Sequence, residues 1–175
     1  MSDRAVSILK EARAISFDMP SRIGLLDSVV RACELELKAF SACELFNVTI
    51  VLRELLSNAI VHGNKCSPGR RVRVHVQCLS DREFKISVAD EGCGFDCKSL
   101  NADIPEDPAR LGKRGYILIG NISQAVLFSN KGKCVTAWVG VDEQSEFDWV
   151  DKPNRHGRGS KEDERSSSYV QRTIQ

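Results

Sequence analysis

The sequence predicts an α+β fold, a two-layer arrangement with helices on one face of a mixed, mostly antiparallel sheet. Two observations predict it. Two apolar stretches with helical spacing stand early in the chain, and four alternating segments fall later into two hairpins. Between the hairpins lies a long polar segment with two prolines and little periodicity, which reads as a functional lid or a disordered stretch.

Residues 14–19, AISFDM, alternate loosely and read as a first strand that Pro20 and Ser21 end. Ser21 is placed to N-cap a helix carrying Ile23, Leu26, Val29, Val30, Cys33, Leu35 and Leu37. A break near Phe40–Ser41 precedes a second helix over about 43–63, stopped at Gly63. In RVRVHVQCL (71–79), Val72, Val74 and Val76 fall on one side and Arg71, Arg73 and His75 on the other, a half-buried antiparallel strand. Its basic side suits solvent first and an acidic partner second. EFKISVAD (83–90) repeats the pattern and closes a hairpin. After the polar segment come a short helix, GYILIGNIS, and strands at 125–129 and 134–140 joined by NKGK. Residues 1–13 read as an N-terminal extension, 14–144 as one domain, and 145–175 as a polar, disordered tail.

Composition narrows the classes. The length of 175 residues suits a single domain, and 42% hydrophobic with 28% charged residues is ordinary for a globular protein. A formal net charge of +1 gives no general pull toward nucleic acid or an anionic membrane. No apolar run approaches a membrane span and the N-terminus lacks a signal peptide's apolar core, so a cytoplasmic location is expected. The seven cysteines read as free thiols, because Cys93 and Cys97 have no second pair with which to hold zinc.

Three places carry chemistry. In ELLSNAIVHGN (54–64), Glu54 and Asn58 share one helix face among Leu55, Leu56 and Ile60. Either that face is solvated or something polar sits against it. In VADEGCGFD a strand delivers Asp90, followed by Gly92 and Gly94, whose bare backbones let a ligand approach. A carboxylate there favours adenine's amino group over guanine's carbonyl, because two acceptors repel. A plain turn accounts for the same residues. In LGKRGYILIG, Lys113 and Arg114 stand beside Gly115 at a helix start, an anion-binding corner.

In order and spacing these three places resemble the N box and the two glycine boxes of the GHKL ATPases, which include gyrase-type ATPases, sensor histidine kinases and MutL. More narrowly, ELLSNAIVHGN, VADEGCGFD and RGYILIGNISQAV are similar to the small bacterial anti-sigma factors with serine-protein kinase activity, the RsbW type. The resemblance spans about residues 14–140. It implies a Bergerat-type ATP-binding fold with ATP and Mg²⁺. Asn58 matches the family's metal-coordinating asparagine, and Glu54 the glutamate that acts as base on the attacking hydroxyl. Asp90 matches the adenine-reading aspartate, with Gly92 and Gly94 lining the base pocket. Lys113, Arg114 and Gly115 fall at the second glycine box, where lid amides and cations meet the phosphates.

Two departures stand out. Lys113 occupies the first glycine position of the second box, with Gly112 one residue early, and Ser123–Gln124 replaces an acidic pair. The resemblance implies a kinase that phosphorylates a STAS-domain antagonist and sequesters a sigma factor, commonly as a homodimer, without direct contact to nucleic acid or membrane. The altered second box suits an alternative, a non-catalytic switch in which nucleotide shapes a protein-binding surface. A sensor histidine kinase fits poorly, because no histidine precedes the first strand, and clamp-type ATPases use further domains.

Overall fold

The computed structural model describes residues 6–39, 45–94, 114–140 and 169–172. Strand β1 (Ser7–Glu11) is followed by β2 (Ala14–Pro20), a 3₁₀ turn (Ile23–Leu25), α1 (Leu26–Lys38) and α2 (Phe46–Ser57). A π-helical turn (Asn58–Gly63) continues α2 directly. Then come β3 (Arg71–Ser80), β4 (Glu83–Asp90), α3 (Arg114–Ile122), β5 (Ala125–Ser129), β6 (Cys134–Gly140) and β7 (Tyr169–Arg172). The strands form one seven-stranded sheet in the order β1-β2-β3-β4-β6-β5-β7. Every neighbouring pair is antiparallel, so the mixed component expected from the sequence is absent among the described strands.

The side-chain period of two sends one set of each strand's residues toward the helices. Phe17 opposes Val74, Val74 opposes Val88, and Val88 opposes Val135, so one layer of apolar side chains runs across four strands. α1 covers this face with Leu26, Val29, Val30, Cys33 and Leu37, and α2 with Val48, Val51, Leu52, Leu55 and Leu56. Phe84 is fully buried at the centre, where such a side chain contributes about 1.5–3 kcal/mol. Helices therefore lie on one face, in two layers.

Several expectations change. Ser21 does not cap a helix: it is buried, its N–H donates to the Arg70 carbonyl at 3.0 Å and its hydroxyl to the Ile60 carbonyl at 3.5 Å. With Ser21 pinned between β3 and the π turn, α1 begins later, at Leu26. Ile23 and Leu35, read as core-facing, are 51% and 63% exposed. The helix expected to run to residue 63 leaves α-geometry at Asn58. The sheet begins at Ser7, inside the stretch expected to be an extension, and Tyr169–Arg172 of the expected tail pairs with β5. On the outer sheet face Arg73 is exposed, while His75 Nδ1 meets Ser16 Oγ at 2.9 Å and Arg71 binds Asp18. The polar segment between β4 and α3, from Phe95 to Lys113, lies outside the described residues.

Candidate functional site

α2 is apolar on the side facing the sheet and turns Glu54 and Asn58 toward α3. At Gly115, in the first turn of α3, an added Cβ would lie 2.7 Å from Glu54 Oε2 and 3.4 Å from Asn58 Nδ2. Glycine lets the Glu54 carboxylate rest against the helix start, and a side chain there would push that carboxylate aside. Asn58 is 9% exposed, and its Nδ2 is buried with no hydrogen-bond partner among the described residues. A buried amide hydrogen without a partner costs about 1–3 kcal/mol, so Asn58 is a candidate for contact with a group beyond the described residues.

The π turn then carries Ala59, His62 and Gly63 along the wall of a cavity of about 370 Å³. Leu55 and Val88 supply apolar surface, Tyr116 forms part of the wall, and Lys65 and Arg70 bring positive charge. Tyr116 is held edge-on to Phe128, with ring centroids 5.6 Å apart.

Asp90 reaches the cavity from the end of β4. Its carboxylate packs directly on Gly63, where a Cβ would sit 2.4 Å from Asp90 Cγ. Gly92 presses on the same residue, its own Cβ position lying 2.2 Å from the Gly63 carbonyl oxygen. The Gly92 N–H donates to Asp90 Oδ1 at 2.7 Å, and the Asp90 N–H donates to the Lys133 carbonyl at 2.9 Å. Burial pushes the Asp90 carboxyl above the usual carboxylate range, against the opposing pull of the Gly92 N–H, Lys133 and Arg70. Gly94 adopts φ +77° against the β5–β6 turn, a conformation that disfavours any side chain.

Asn58, Asp90 and Gly94 thus line one cavity, with Glu54 and Gly115 adjoining Asn58 and Gly92 packed on Gly63 beside Asp90. Arg114 opens α3, and Lys113 lies outside the described residues. Reading from the residues alone missed Asn64, Lys65, Arg70 and Gly132. The first signals itself only as a polar residue just past a helix-ending glycine, and Gly132 enters from a distant hairpin turn. The two cysteines nearest this region in sequence, Cys66 and Cys93, are exposed free thiols, and the described residues hold no cluster of metal-ligating side chains.

An antiparallel sheet covered by helices on one face, with an acidic-amide helix and a glycine-flanked aspartate around one cavity, defines a nucleotide-binding α/β sandwich. The family model for the histidine kinase-like ATPase domain matches residues 18–138, more than half of the chain, and the chain belongs to that family. A search of curated proteins finds no significant match. No helix among the described residues is long and apolar enough to cross a membrane.

Proposed function

We propose that this ATPase domain is an ATP-dependent protein serine kinase that doubles as an anti-sigma factor. It phosphorylates a STAS-domain antagonist and sequesters a sigma factor, consistent with its resemblance to the RsbW type. The observation that carries the reading is that Asn58 and Asp90 line the same cavity, with Glu54 and Gly115 gathered against Asn58.

At the base end, the Asp90 carboxylate accepts a hydrogen bond from an exocyclic amine, which selects adenine. At the phosphate end, Asn58 fits a magnesium ion. Half a turn of its amide exchanges nitrogen for oxygen, and a hard cation takes oxygen ligands. When bound, Mg²⁺ supplies neutralisation of phosphate charge. Glu54 accepts the proton of the attacking serine hydroxyl. The serine oxygen bonds to the γ-phosphorus as the bridging oxygen–phosphorus bond breaks and ADP leaves. By the resemblance alone, Lys113 and Arg114 would add positive charge toward the phosphates, and the chain would work as a homodimer.

Transfer of labelled γ-phosphate to a co-encoded STAS-domain protein tests the proposal. Serine phosphorylation by the parent and its loss in Glu54→Gln are expected. Transfer that is absent, or unchanged in Glu54→Gln, overturns the catalytic assignment. One sequence feature favours a second reading, in which nucleotide only shapes a binding surface: Lys113 stands where the second box carries glycine. Calorimetry showing ATP binding without phosphotransfer selects that reading.

A further inference from the structure

Just past the π turn sits Asn64, fully buried and polar. Its N–H donates to the Ala59 carbonyl at 2.8 Å, closing the wide turn. Its side-chain amide is used at both ends. Nδ2 donates to the Arg71 carbonyl at 2.8 Å, where β3 starts. Oδ1 accepts the Glu91 N–H at 2.9 Å, one residue beyond Asp90. The third side of the figure is the Arg71 N–H, which donates to Glu91 Oε2 at 2.8 Å. Asn64, Arg71 and Glu91 therefore form a closed ring in which each residue donates once and accepts once. Rings of this kind polarise their members cooperatively, and a buried amide leaves little freedom to rearrange.

The ring joins three segments that meet at the base end of the cavity: the end of the π turn, the start of β3 and the exit of β4. It holds the backbone at Glu91, and so fixes the level at which Asp90 rests on Gly63 and Gly92 abuts the Gly63 carbonyl. A carboxylate that reads one exocyclic amine needs its oxygen placed to within a few tenths of an ångström, because hydrogen bonds weaken steeply with misalignment.

We infer that Asn64 and Glu91 are positioning residues that set Asp90 for purine discrimination, so that adenine-over-guanine selectivity depends on a ring that never touches the nucleotide. This deepens the ATP-binding reading above and rests on it.

The test is competition calorimetry of Mg-ATP and Mg-GTP on the full chain in the parent, Asn64→Ala, Glu91→Ala and Glu91→Gln. The Ala variants are expected to weaken ATP about five- to tenfold while GTP moves by less than about twofold, narrowing selectivity. Glu91→Gln keeps an oxygen for the Arg71 N–H and is expected to stay close to the parent. A general loosening would weaken both nucleotides by the same factor, and that result overturns the inference, as does unchanged ATP affinity. If circular dichroism shows Asn64→Ala unfolded, Glu91→Ala decides, because Glu91 is exposed. A parent that binds neither nucleotide overturns the ATP reading itself, whereas a parent that binds ATP beside indifferent variants overturns the ring alone.

Discussion

The two ends of the cavity follow different rules. At the base end Asp90 receives the Gly92 N–H, Asn64 is satisfied at both ends of its amide, and glycines admit the backbone contact. At the phosphate end Asn58 Nδ2 has no partner among the described residues, and Glu54 lies over a bare helix start. The first is organised by the chain alone. The second carries polar groups, of which the described residues leave Asn58 Nδ2 without a partner. In the proposed reading, recognition would be built in advance where the base is flat and rigid, and left to charge and coordination where phosphates are flexible.

Substitutions at the phosphate end should change chemistry with little effect on folding. The largest effect is expected for Glu54→Gln, which should lower phosphotransfer by about 10²–10⁴-fold while leaving ATP affinity near the parent's, measured by single-turnover transfer and calorimetry. Equal loss of binding and transfer would remove the distinction drawn here. Asn58→Ala should weaken Mg-ATP by about tenfold or more, equivalent to roughly 1.4 kcal/mol. The unliganded chain should melt close to the parent, because the Nδ2 removed has no partner among the described residues. Gly115→Ala should cost transfer roughly tenfold, since its Cβ would meet Glu54 Oε2 at 2.7 Å, and stability should stay within about 1 kcal/mol.

The base end should respond to pH. Asp90 has a raised carboxyl in the folded chain, so between its unfolded and folded values the folded state holds more protons. Its contribution to stability is thus present in acid and lost as pH rises through the folded value. Asp90→Asn should remove this loss, leaving the unliganded chain no less stable than the parent at neutral pH by thermal melting. ATP affinity runs the other way: as pH falls through the raised value, the carboxylate gains a proton facing the adenine amine and binding weakens. A flat pH profile in calorimetry would contradict the assignment. The smallest effect is in thiol labelling. Cys33, buried and pushed up to about 12, should resist alkylation in the native chain, while exposed Cys66 and Cys93 react. Mg-ATP should protect Cys93, which lines the cavity.

Much of the architecture was legible because its signals are local. β5 and β6 have the bounds their alternation predicts, and β3 differs by one residue. α3 starts one residue before the expected glycine. The edges were not legible. SILKE in β1 is exposed along its whole length, so no buried face marks it, and YVQR in β7 pairs with β5 inside a serine-rich stretch. An edge strand is specified by the neighbour whose hydrogen bonds it completes; for β7 that neighbour, β5, is distant in sequence, and for β1 the adjacent β2 supplies it without any apolar alternation in SILKE. The start of α1 was displaced for a related reason: Ser21 has the right chemistry for a cap, but a buried contact to Ile60 uses it elsewhere.

The amino-acid sequence by itself determined the layer order, the faces of most elements and the residue types available to the site, since side-chain periodicity and turn chemistry act over a few neighbouring positions. Tertiary structure decided the rest. The approach of Gly115 to Glu54, the contact of Gly63 with Gly92 and the Asn64 ring each join segments well separated along the chain. No local pattern encodes such meetings, because they depend on which surfaces the completed core brings within hydrogen-bonding distance.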